Sequence, residues 1–168
     1  MNTTMIGLAI AAVPVVFTVE MFVEAKRRKR KERQLGLAYQ KLIMQNRLSV
    51  EHAEILDQKV LAMDRKSKKL LLIDHTRSPR QELCIPLTDI ETTRVVEVRD
   101  RQEQYLQEIK LALRHKRSEK ETIICFYDES RDDLSSMKML YRKALHWKSR
   151  IDIHRHRGRV NMEMEYVL

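Results

Sequence analysis

Side chains do chemistry in sets, and this sequence offers few such sets. His154 and His156 alternate around Arg155, a spacing that puts two imidazoles on one side of a strand where they could share a metal. No Cys or carboxylate set lies nearby to complete the ligands, so a basic tail is the preferred reading. Asp128, Glu129, Asp132 and Asp133 crowd a short loop that could hold a cation. The competing reading is a strand-to-helix turn whose acids favour the start of the following helix, and it is preferred. Cys84 and Cys125 have no CxxC partner and read as small buried hydrophobes. Gly7, Gly36 and Gly158 are the only glycines, too few and too scattered for a phosphate loop. HExxH and nucleophile-elbow patterns are missing. The expectation is a protein that is not an enzyme, with no metal site and no cofactor.

What the sequence has in quantity is positive charge. The net charge is +9, and the run Lys26, Arg27, Arg28, Lys29, Arg30, Lys31, Glu32, Arg33 places seven bases in eight positions. A second cluster, Arg65, Lys66, Lys68 and Lys69, lies between two apolar runs. A charge cluster alone gives nonspecific attraction, and four bases in a hairpin loop read first as a solvated turn. A nucleic-acid partner is not expected on this reading: aromatic residues make up 5%, which leaves few stacking platforms for bases.

The elements that would position these charges begin with an apolar stretch. Residues 3–23 include an uncharged run from Met5 to Val19, interrupted by Pro14, with Glu20 near one end. A helix needs about 20 apolar residues to cross a bilayer core. A cleaved signal peptide would carry bases before the apolar run, and here they all follow it. A buried helix of a soluble fold would not switch so abruptly to seven bases. The expectation is a single-pass transmembrane helix at 1–25, in the inner (cytoplasmic) membrane, with the N-terminus outside and the rest cytoplasmic. The bases from Lys26 to Arg33 then act as a topology signal against anionic headgroups. Leu35, Leu37, Ala38, Leu42, Ile43 and Met44 continue a helix as a stalk, and the basic juxtamembrane segment spans 26–54. Ser49 reads as a cap for a short turn through Val50–Ala53.

Beyond residue 54 the period changes. Lys59–Asp64 and Lys69–Asp74 are apolar runs flanking a polar loop of hairpin length. Glu82–Leu87, Ile90–Val98, Tyr105–His115 and Thr122–Tyr127 follow as four more strand candidates. In the third of these, Ile109, Leu111 and Leu113 alternate with Lys110 and Arg114. From Leu134 the period returns to 3.6, with Leu134, Met137, Tyr141 and Trp147 proposed as the core side of an amphipathic helix reaching about Ile151.

Six short antiparallel strands closed by one amphipathic helix resemble the pleckstrin-homology superfold, in the form of bacterial PH-like domains on membrane tethers. The likeness covers about residues 55–152. It rests on the hairpin Val60–Ile73, on Ile85-Pro86-Leu87-Thr88-Asp89-Ile90 before a β-rich stretch, and on Trp147 in the closing helix. The resemblance implies an α+β chain: transmembrane helix and helical stalk, then a small antiparallel PH-like β-barrel or sandwich over 55–153 closed by a C-terminal helix, then a basic, polar tail at 154–168. It also implies a non-enzymatic, membrane-anchored interaction module, an accessory subunit or adaptor of a larger membrane complex. Glu20 would meet a partner helix, and Arg65, Lys66, Lys68 and Lys69 would meet a partner or lipid. The alternative is a PH-like domain that senses anionic lipid. The usual basic spacing of lipid-binding members is absent from the first hairpin.

Overall fold

The two apolar runs at the centre of the sequence, Val-Leu-Ala-Met and Leu-Leu-Leu-Ile, do not alternate with polar residues, which calls for cover on both faces of the strands they form. The computed structural model, which describes residues 26, 29–100 and 105–164, provides that cover. Strands β1 (His52–Leu56), β2 (Lys59–Asp64), β3 (Lys69–Asp74) and β4 (Gln81–Pro86) form one antiparallel sheet in the order β1-β2-β3-β4. Strands β5 (Ile90–Arg99), β6 (Leu106–His115) and β7 (Ser118–Asp128) form a second, in the order β5-β6-β7. Two helices complete the described structure: α1 over 29–46 and α2 at Met137–Met164.

Register decides which side chains go where. In β2 and β3, Val60 faces Ile73 and Ala62 faces Leu71, while Leu61 pairs with Leu72 and Met63 with Leu70. Because side-chain direction alternates along a strand, the two sets enter two cores. Leu61, Met63, Leu70 and Leu72 join Ile109, Leu111, Leu113, Ile124, Phe126 and Tyr127 of the second sheet, together with Leu140, Ala144, Trp147 and Ile151 of α2. Val60, Ala62, Leu71 and Ile73 face the other way, where Leu35 and Leu42 of α1 and Leu48 cover them. Helix α1 is therefore docked on the outer face of the first sheet along a narrow apolar stripe.

The β2–β3 turn is fixed by Asp64, which is only 3% exposed. Its carboxylate accepts the backbone N–H groups of Ser49, Lys66 and Ser67 at 2.8, 2.9 and 3.0 Å. Lys68 completes the turn with a positive φ of 52°. Helix α2 buries Leu140, Ala144, Trp147 and Ile151, a set at helical spacing. Met137 and Tyr141 pack partly against that core. Leu134, by contrast, is 72% exposed in a 3-10 turn before the helix. Helix α2 also continues past Ile151 through His154 to Met164.

The fold departs from the expected class in two respects. The strands make two separate antiparallel sheets of four and three, and do not close into a barrel. The additional strand is β1, whose polar sequence His-Ala-Glu-Ile-Leu hides its pairing with β2. Secondly, among the described residues no helix is long and apolar enough to cross a membrane. Helix α2 has the length, at 28 residues, but carries Lys, Arg and His throughout. The apolar stretch at 3–23, including Glu20, lies outside the described residues. The transmembrane helix, the single-pass membrane assignment and the inner-membrane location are thus corrected, since no described helix supports them.

Candidate functional site

Helix α2 turns one face to the core and leaves another for solvent. Four residues apart on an α-helix, side chains stack one above the next. Lys138, Arg142, His146 and Arg150 occur at that spacing and form a basic stripe. The stripe lines a groove of about 760 Å³ whose other wall is β1, through His52, Ala53 and Glu54. Ser135, Met139 and Lys143 complete the lining.

Two contacts set the groove's inner wall. Glu54 Oε2 accepts the Trp147 indole N–H at 2.5 Å, and Glu54 Oε1 pairs with Lys143 Nζ at 2.9 Å. Burial alone would raise the Glu54 carboxyl, but bonds from Lys143 and Trp147 and the charges of Lys143 and Arg150 take it below the usual glutamate value. Among the described residues Glu54 is the only acid of the lining, and these bonds occupy it. Arg150 lies over the Trp147 ring, 5.6 Å from its centroid. Lys138 and Arg142 are exposed, with no hydrogen bond or ion pair among the described residues. Three further groups at the β1 end add to the field. Arg65 Nη2 lies 2.5 Å from His52 Nε2, and Arg65 Nε pairs with Glu51 at 3.2 Å. Partial burial of the His52 imidazole, then the charges of Arg150 and Arg65, lower its proton affinity, with Glu51 opposing them.

The residues singled out in the sequence divide between this groove and other places. Arg65 reaches the rim through His52. Lys66 is exposed and Lys68 half-buried in the β2–β3 turn, and Lys69 is half-buried at the start of β3; none of the three lines the groove. Of the basic run, Arg27 and Arg28 lie outside the described residues; Lys26 is exposed, as are Lys29, Arg30, Lys31 and Arg33 in the first turns of α1. Lys31 borders a smaller recess of about 370 Å³ with Gln34, His75, Thr76, Arg80 and Arg131. The acidic loop is largely bonded within itself: Asp128 accepts Ser130 N–H and Oγ–H, pairs with Arg131 at 3.4 Å, and donates its own N–H to Asp132. The α2 stripe went unread in the sequence. Its signal was there, three cations and a histidine at intervals of four, but each alone looks like an ordinary solvated helix position.

No nucleophile is activated among the groups described. Burial pushes both the Cys84 and Cys125 thiols above the usual cysteine value. Among the described residues no cluster of His, Cys, Asp or Glu could hold a metal ion. What the groove can do chemically is attract and orient an anion. Comparison with protein-family models, with curated proteins and with solved structures returns no match. The likeness to the pleckstrin-homology superfold therefore rests on the sequence pattern alone.

Proposed function

We propose that this chain is a non-enzymatic interaction module, an adaptor or accessory subunit, and that the groove between α2 and β1 docks an acidic segment of a protein partner. The observation that carries this reading is the pair Lys138 and Arg142, two exposed cations without counter-ions among the described residues, set in line with His146 and Arg150. The cations Lys138, Arg142 and Arg150 along one wall cost stability through mutual repulsion and raise the local concentration of an oppositely charged ligand. A polypeptide suits the site better than a nucleic acid, because the described lining contains no Phe, Tyr or Trp side chain on which a base could stack.

The test is titration of the full-length protein with polyglutamate by calorimetry, at low and at physiological salt. Binding should weaken as salt rises, since the Debye length falls to about 8 Å at physiological ionic strength. The double variant Lys138→Glu/Arg142→Glu should lose at least about tenfold in affinity, equivalent to about 1.4 kcal/mol. Unchanged affinity in that variant would remove the groove from consideration. Tighter binding of a single-stranded nucleic acid than of polyglutamate, abolished by the same variant, would overturn the protein-partner reading.

A further inference from the structure

The charge of the groove selects an acid; its shape selects a conformation. Strand β1 is the outermost strand of its sheet, so one of its two hydrogen-bonding edges meets no other strand among the described residues. Three consecutive β1 residues line the groove: His52, Ala53 and Glu54. His52 and Glu54 pair with Met63 and Leu61, on the inner face of the sheet, whereas Ala53 pairs with Ala62, on the outer face. Side chains of both orientations can border one groove only if that wall is the backbone edge between them. The wall is thus an edge whose N–H and C=O groups meet no strand among the described residues, the template to which an added strand pairs.

The opposite wall has a matching repeat. Residues four apart on a helix rise by about 6 Å, at 1.5 Å per residue. Side chains on one face of a strand repeat at about 6.6 Å. From Lys138 to Arg150 the stripe runs about 18 Å, the length of five or six strand residues, and β1 has five. A segment laid along β1 with acids at alternate positions would keep its carboxylates in step with the α2 cations over the whole edge. Its intervening residues would point to the other face, beside Ala53 and Ile55. Ile55 is 68% exposed there, an apolar side chain at an open edge.

We infer that the partner binds by strand addition: an extended segment alternating acidic and apolar residues pairs its backbone with β1 and sets its carboxylates against Lys138, Arg142, His146 and Arg150. This inference rests on the anionic docking proposed above and specifies its geometry. Register is fixed by the side chains, because a slip of one residue would turn every acid away from the helix and every apolar residue toward it.

The probe is a short capped peptide alternating valine with glutamate, together with two versions of the same charge, one N-methylated at every glutamate and one at every valine. In an added strand one alternate set of N–H groups points at β1 and the other points away. One methylated peptide should therefore lose at least about tenfold in affinity while the other binds like the parent. The amide protons of His52–Leu56 should gain protection from exchange when the parent binds. Equal affinity of the two methylated peptides, whether high or low, overturns strand addition. If all three peptides bind equally, anionic docking stands without it. If the parent itself fails to bind, both the inference and the reading beneath it fall. Self-association of the protein through β1, seen as exchange protection that rises with protein concentration in the absence of peptide, would make a second copy the occupant and overturn the acidic partner.

Discussion

Glu54 and Trp147 are separated by 93 residues of chain, yet their side chains meet at 2.5 Å, the carboxylate accepting the indole N–H. Trp147 is wholly buried, and Glu54 belongs to the edge strand. One bond therefore ties β1 to the helix packed over the core, and it also holds Lys143 in place through the second carboxylate oxygen. A buried indole N–H must find an acceptor. The groove and the core share this contact, so its loss is felt in both.

Glu54→Ala should destabilise the protein by about 1–3 kcal/mol, the usual consequence of leaving a buried donor without a partner. Glu54→Gln keeps an acceptor for Trp147 and removes the charge opposite Lys143, so it should cost less than the alanine variant. Urea unfolding of the two variants, followed by far-UV circular dichroism, decides the point. Equal destabilisation would mean that the ion pair, and not the indole bond, carries the contact.

Asp64 supplies a second prediction. Burial by itself would raise its carboxyl, but the N–H groups of Ser67, Ser49 and Lys66 stabilise the anion and take it below the usual aspartate value. A carboxyl depressed in the folded state contributes stability above its unfolded value and loses that contribution as pH falls through the folded value. Stability should thus begin to fall as pH enters the ordinary aspartate range and go on falling below it, with Asp128 and Asp152, also depressed, acting in the same direction. Asp64→Asn cannot accept all three N–H groups and should lose about 1–3 kcal/mol at neutral pH. Its stability should also fall less steeply between neutral and acid pH than that of the natural chain. Parallel pH–stability curves would show that Asp64 titrates normally.

The placement of α1 makes a third. Leu35 and Leu42 are buried against Val60, Ala62, Leu71 and Ile73. Replacing either leucine with alanine should cost about 2–5 kcal/mol, the range for truncating a buried leucine. A helix standing free of the sheet would tolerate both changes, so a loss under about 0.5 kcal/mol, typical of surface positions, would refute the docking.

The unbroken apolar runs of β2 and β3 made those strands readable, and the same runs held information that a reading strand by strand leaves unused. A strand apolar on both faces needs two covers, and α1 carries the second in the stripe Leu35–Leu42. Strand β1 was harder to see. Two of its three inward positions are His52 and Glu54, polar because they meet Trp147, Lys143 and Arg65 instead of the apolar core. A period-two pattern cannot appear where the buried face is itself polar. The groove was hidden for the same reason: its two walls come from residues almost a hundred positions apart, and its charge lies in a stripe that only the placement of α2 over β1 turns toward a strand edge.

His52 gives the groove a pH response whose sign can be worked out. Partial burial, followed by the charges of Arg150 and Arg65 and a smaller contribution from His146, disfavours its protonated form, and Glu51 acts the other way. In the free protein the imidazole is therefore neutral at neutral pH. A bound carboxylate beside it would offset those cations and raise its proton affinity, so binding takes up protons. Affinity for the valine–glutamate peptide should accordingly strengthen as pH falls below the usual histidine value, until the peptide's own glutamates protonate near about 4.3. The free fold responds in the opposite sense, losing stability over the same descent, because the unfolded chain binds that proton more readily. Calorimetry of the peptide across this range, in two buffers of different ionisation enthalpy, measures the proton uptake directly. His52→Gln should reduce both the uptake and the slope of affinity against pH while leaving neutral-pH binding within about threefold, since a neutral side chain replaces a neutral one. An unchanged slope in that variant would show that His52 takes no part in recognising the acid.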